Sequence, residues 1–253
     1  MATTPPFALR SRTTQEPEPD LTFLVVTHRA IRQDLRRLEA RLAEIAGRGA
    51  PPSRARAIGR YTAALLAEIC RHHEDEDDIL WPMIAATAGQ AVDLAPLTDD
   101  HQAIEATVGR ARQALASFRA EPGTPGIPAE LHASVTELRD MLDDHIADEE
   151  QQILPAMRRY LPAEACRWCE QQTQRKASLS GLRFTAPWLA RYAQPDELRR
   201  LRAGNGWPAR ILLTAARYEH ARLERQAFGR QPGPPMTTAT RPTAHSDHHK
   251  ERS

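Results

Sequence analysis

Six residues of this chain have the types and spacing to do chemistry beyond holding a core together: His28, His72, Glu76, His101, His145 and Glu149. Imidazole and carboxylate are the donors that hold iron, manganese or zinc, rather than copper(I) or an iron–sulfur cluster. His28 and His101 stand 73 residues apart, as do His72 and His145, Glu76 and Glu149, and Pro82 and Pro155. The chain therefore reads as two copies of one helical hairpin. Each copy carries a His on its first helix and His-x-x-x-Glu on its second. A spacing of four sets the His and Glu on one helix face, one turn apart.

Two frames overlap on the second helix. His73 and Asp77 repeat the spacing of His72 and Glu76, one residue round the helix. The seam register and the match to His145 and Glu149 select His72 and Glu76, so His73 is expected to face sideways or outward. A plain alternative is a helical core with a few satisfied histidines. It would bury four imidazoles and two carboxylates together, and an unpaired buried carboxylate costs energy on the scale of a whole domain's stability. Metal coordination removes that conflict, because it pairs the carboxylates and uses the imidazole lone pairs. Two carboxylates facing four histidines suit two bridged ions. Asp34, Asp144 and Asp148 are candidates for the outer partners of such ligands. Tyr61 lies on the seam side, about three turns away, and no general acid stands out.

Four helices must position these groups. Leu21, Leu24, His28, Ile31, Leu35, Leu38, Leu42 and Ile45 recur at steps of three and four, giving a first helix that ends at Gly47 and the Gly49–Ser53 loop. Ile58, Leu65, Ile69, His72, Glu76, Ile79 and Met83 mark a second. Leu97, His101, Ile104, Val108, Ala111, Leu115 and Phe118 mark a third, closed by the Glu121–Pro128 loop. Leu131, Val135, Leu138, Leu142, His145, Glu149 and Ala156 mark the fourth. Short connections make sequential helices antiparallel, and the seam spacing predicts coiled-coil-like packing. The fold class expected is all-α, an antiparallel up-down four-helix bundle. His28 and His72 both lie 22 residues from Ala50, and His101 and His145 both lie 22 from Gly123. Each pair then sits at one height, roughly 33 Å from its own loop.

A His, then His-x-x-x-Glu, then the same again over four helices resembles the hemerythrin-like (HHE cation-binding) family. The resemblance runs from Leu21 to Leu161 and includes Thr27-His28-Arg29-Ala30, His72-His73-Glu74-Asp75-Glu76 and Ile79-Leu80-Trp81-Pro82. It implies a non-haem di-iron centre, oxo- or hydroxo-bridged, with His28 and His72 on one iron, His101 and His145 on the other, and Glu76 and Glu149 bridging. One position departs from the family pattern. Oxygen-carrying members have a fifth His one turn after the third-helix ligand, and here that residue is Glu105. Glu105 is either a further, anionic ligand or an exposed carboxylate on the helix flank. As a ligand it would favour the ferric state and disfavour reversible oxygen carriage. The corresponding first-helix position is Arg32.

The remaining features bound these readings. Of 253 residues, 41% are hydrophobic and 26% charged, and the formal net charge is +1, so nothing asks for nucleic acid or an anionic membrane. No apolar run is long enough to span a bilayer and no leader pattern opens the chain, making a cytoplasmic location the expectation. Cys70, Cys166 and Cys169 do not make a disulfide framework, and Cys166-x-x-Cys169 lacks a second pair for zinc, so it reads as helix surface and core. The chain divides into a disordered arm (1–19), the bundle (20–161), a helical C-terminal extension (162–230) and a disordered tail (231–253). The extension holds Trp168, Trp188 and Trp207, is broken at Pro187, Pro195 and Gly204–Pro208, and carries His220, expected at the surface. It reads as a cap packed on the bundle, or more sharply as a lid or protein-partner surface. The tail histidines His245, His248 and His249 could bind stray metal.

Three functions follow as expectations. The first is a di-iron protein that binds or reacts with oxygen, peroxide or nitric oxide in sensing or protection, with manganese or zinc as alternative ions. The second, motivated by Glu105, is a di-iron oxidase or peroxidase. The third is a redox-inert helical interaction module.

Overall fold

In the computed structural model, residues 4–203 and 210–229 are described, and among them every regular element is helical. The helices are α1 (Thr22–Arg48), α2 (Pro52–Asp75), α3 (Trp81–Ala88), α4 (Ala95–Ala120), α5 (Ile127–Tyr160), α6 (Ala163–Lys176), α7 (Leu179–Tyr192), α8 (Pro195–Ala203) and α9 (Arg210–Phe228). None is long and apolar enough to cross a membrane. Gly49, at φ 72°, ends α1 in a conformation that a Cβ disfavours, and its N–H caps Ile45 O at 2.8 Å. Pro52 then opens α2, where a missing N–H costs nothing.

The second predicted helix is not one regular rod. Glu76–Leu80 forms a π-turn between α2 and α3, and the Trp81 N–H donates to Glu76 O, five residues back. Pro82, which has no N–H to donate and whose ring would crowd the carbonyl four residues back, stands just past this turn. Pro155, its counterpart in the repeat, sits inside an unbroken α5.

α5 packs against both α1 and α4, and α4 packs against α2, whereas the backbones of α1 and α2 stand further apart and meet through their side chains. The predicted seam residues line this interior: Ile31, Leu35 and Leu38 meet Ile58, Leu65, Ile69, Val108, Val135 and Leu142, all fully buried. Full burial of such a side chain stabilises by about 1.5–3 kcal/mol. A second apolar cluster, including Leu24, Ile79, Trp81, Ile84, Leu97, Ile153, Met157 and Leu161, forms separately. The histidines and glutamates of the repeat belong to neither cluster.

The extension is part of the core. α7 and α9 pack on each other and on α1 and α2, contributing Trp188, Leu189 and Phe228 to the main cluster. Asp34, fully buried on α1, fixes them there. It accepts from Tyr61 Oη at 2.5 Å, Trp188 Nε1 at 2.6 Å and Tyr192 Oη, and pairs with Arg37 at 3.3 Å. His220 differs from expectation: it is buried, with its ring 5.2 Å from Phe184 and 6.0 Å from Tyr61. α9 needs a buried face to dock, and His220 lies on it. The described part of the N-terminal arm is also held. The Arg12 N–H donates to Tyr160 O at 2.8 Å, its guanidinium reaches Arg158 O at 2.7 Å, Ser11 bonds Thr87 O, and Phe7 packs on the second cluster. The Gly204–Pro208 turn with Trp207, and the tail from Gln231, lie outside the described residues.

Candidate metal centre

α1, α2 with the π-turn that follows it, α4 and α5 bring the repeat residues to the gap between the two apolar clusters. Ligand-type atoms of His28, His72, Glu76 and Glu149 all lie within 4.8 Å of one another, and those of His73, His101 and His145 form a second such group. The two glutamates span both groups. Glu76 Oε1 is 3.3 Å from His72 Nε2 and 3.9 Å from His28 Nε2, while its Oε2 is 3.6 Å from His101 Nε2. Glu149 Oε2 is 3.3 Å from His28 Nε2 and 4.0 Å from His145 Nε2.

His73 is the residue the helix-face argument misplaced. It is buried, and its ring lies 4.6 Å from that of His101 and 5.4 Å from that of His145. A seam one residue wide would have turned His73 away from the site. Because α2 lies against α4 as well as facing α1, a residue about 100° round from His72 still points inward. Glu105, in contrast, is exposed and outside both groups. Its helix turns Ile104, Thr107 and Val108 inward, and the Glu105 charge is felt by the Cys70 thiol instead.

The outer partners also differ from the three aspartates proposed from sequence. Asp34 serves α7, and Asp144 and Asp148 are exposed. Instead, Glu150 Oε1 meets His28 Nδ1 at 3.2 Å, Asp77 Oδ1 meets His101 Nδ1 at 2.8 Å, and Asp100 Oδ2 meets His145 Nδ1 at 3.5 Å. Asp77 and Glu150 are themselves 73 residues apart, so the repeat carried a signal for them. Both overlapping His-x-x-x-acid frames are in use, one for Glu76 and one for Asp77. A carboxylate at Nδ1 holds the proton there and turns the Nε2 lone pair inward.

The charges conflict without a positive ion. Burial works against the charge on His28, yet Glu149, Glu150 and Glu76 hold its pKa well above the ordinary value. Burial and neighbouring imidazoles push His72 and His73 well below theirs. Burial and the Glu149 charge raise Glu76. Burial opposes the Glu149 charge, but His28, His145 and His101 outweigh it and lower its pKa. The Nε2 atoms of His28, His72, His73, His101 and His145 make no hydrogen bond, nor do the four oxygens of Glu76 and Glu149, and all are buried. Buried polar atoms are seldom left this way, and nine converging on one place fit cation coordination by nitrogen and oxygen.

A cavity of about 60 Å³ reaches His72 and Glu76. Leu24, Ile79 and Met157 line it on one part and Cys166, Cys169 and Glu170 of α6 on another.

The model of the hemerythrin HHE cation binding domain matches residues 20–157, more than half of the chain. The protein belongs to that family, which implies a metal-binding site, and its histidine and glutamate groups are arranged so that they could hold a cation. Comparison with curated proteins and with solved structures returned no significant match.

Proposed function

We propose that the protein holds two iron ions between α1, α2, α4 and α5, and that it binds or reacts with oxygen, peroxide or nitric oxide in a sensing or protective role. The four long helices are read as an up-down bundle around that centre. The observation that carries the proposal is the convergence of nine buried, hydrogen-bond-free nitrogen and oxygen atoms, with Glu76 and Glu149 each spanning two histidine groups. His28 and His72 would hold one ion and His73, His101 and His145 the other, with both glutamates shared. Two irons so held supply two-electron exchange and a position for a small ligand.

The chain's own residues prepare the site. Glu150, Asp77 and Asp100 fix the ring orientation of three histidines. The apolar clusters on either side exclude bulk water, which strengthens every charge interaction between them. The cavity beside His72 and Glu76 holds about two water volumes, room for a diatomic molecule or peroxide. The oxidase or peroxidase reading loses the support of Glu105, which is exposed.

Metal content and visible absorption test this directly, on protein lacking the tail histidines and on its His72→Ala variant. About two irons per chain with an oxo-bridged spectrum, lost in the variant, are expected. Zinc or no metal, with the same helicity in both proteins, would overturn the iron reading in favour of a redox-inert module.

A further inference from the structure

α6 lies beyond the stretch matched by the family, and it brings two unused nucleophilic side chains to the cavity beside the metal centre. Cys166 and Cys169 both line the space that reaches His72 and Glu76. A spacing of three places them on one face of α6. Helix geometry holds their Cα atoms about 5 Å apart, inside the range a disulfide requires. Both are free and buried. Cys169 Sγ lies 4.0 Å from Ile79 O, within the π-turn that begins at Glu76, and Cys166 Sγ lies 3.4 Å from Asp20 O.

Burial raises both thiols, Cys169 to about 12 and Cys166 further. Protonated thiols are poor ligands and react slowly with dissolved oxidants. The cavity joins the two buried thiols to the space beside His72 and Glu76.

We propose that Cys166 and Cys169 form a two-electron store for the centre, closing to a disulfide as two ferric ions return to the ferrous state. The inference rests on the iron reading above. In the step, two S–H bonds break and one S–S bond forms. One electron goes to each iron(III), and the two protons pass to the Glu170 carboxylate on the cavity wall and to water. A two-metal centre and a dithiol each exchange two electrons, so the reaction balances without a further partner.

The full chain, loaded with iron(II) without oxygen, is oxidised with one equivalent of hydrogen peroxide and then held anaerobically. Thiols are alkylated and mapped by peptide mass spectrometry, with Cys70 as the internal control for a thiol away from the cavity. A Cys166–Cys169 disulfide is expected in the iron-loaded protein, as the ferric absorption fades, and not in metal-free protein given the same peroxide. Cys166→Ser and Cys169→Ser should keep the ferric absorption at least about tenfold longer. Full alkylation of both cysteines in wild-type protein whose ferric absorption has faded would overturn the proposal, as would equal disulfide formation without metal. Failure to bind iron at the loading step would remove the metal reading itself, and the thiol store with it.

Discussion

Asp77 Oδ1 meets His101 Nδ1 at 2.8 Å, carrying a carboxylate from the π-turn to the histidine that opens the second hairpin. Glu150 does the same for His28, the histidine that opens the first. Each acid thus braces the hairpin it does not belong to. Asp77→Asn is expected to weaken metal binding about 10–100-fold while leaving the helices intact. Competition with a chelator of known affinity measures this. Asp144→Asn, at an exposed position, is the control. An unchanged affinity in Asp77→Asn would show that the brace does not tune the site.

His73 and Glu105 make opposite predictions. His73→Ala removes a buried nitrogen from the group with His101 and His145, and should lower bound metal by about one ion per chain. Glu105→Ala alters an exposed flank and should leave metal content unchanged. Elemental analysis of the two purified variants decides between the inward nitrogen and the sequence-based carboxylate.

Asp34→Ala should damage the fold and spare the metal. The substitution leaves two phenols, an indole and a guanidinium without their shared acceptor. A loss of about 3–5 kcal/mol is expected from removing one side of such a buried network. Asp34 is six residues beyond His28, about 9 Å along α1, so iron stoichiometry should survive wherever the chain still folds. Denaturant midpoints and metal content, read on the same samples, separate the two effects.

Glu170 gives the stability a defined pH dependence. Burial first, and then the Asp20 charge, raise its pKa to about 7 from an ordinary 4.5. The folded state therefore holds the proton more tightly, and stability falls as pH rises from about 4.5 to about 7, then levels off. The loss is on the order of 2–3 kcal/mol once partial exposure is allowed for. Glu170→Gln should match the wild type in thermal melts of metal-free protein near pH 4.5 and exceed it at pH 8. Parallel profiles at both pH values would mean that the Glu170 carboxyl keeps its ordinary acidity.

Helix period and repetition made much of the molecule legible. The seam residues from Ile31 to Leu142 are buried where their spacing puts them, because an amphipathic stripe has one low-energy way to face a neighbour. The convergence of His28, His72, Glu76, His101, His145 and Glu149 was legible for the same reason. His73 was not, since a helix wheel gives the angle between residues but not the number of helices packed around them. Of the two readings open for Glu105, the structure places it on the exposed flank: one turn from a site residue is near it only if the helix does not rotate that turn toward solvent. Asp77 stood in the sequence only as the frame competing with Glu76, and Glu150 one residue past the ligand face; spacing alone does not say that each reaches across to a histidine of the other half. Asp34 and His220 had no pattern to announce them. Their partners lie on α7 and α9, and those contacts are set by tertiary docking.

The repeat equates His73 with Ile146, a fully buried hydrocarbon in the main core. One hairpin thus has a nitrogen where the other has a methyl group. Three imidazoles gather on one side of the shared glutamates and two on the other. Identical ions seated there would experience different ligand fields. A single electron added to such a pair would localise on one ion instead of being divided between them, so the duplicated halves of this chain would produce an electronically lopsided pair.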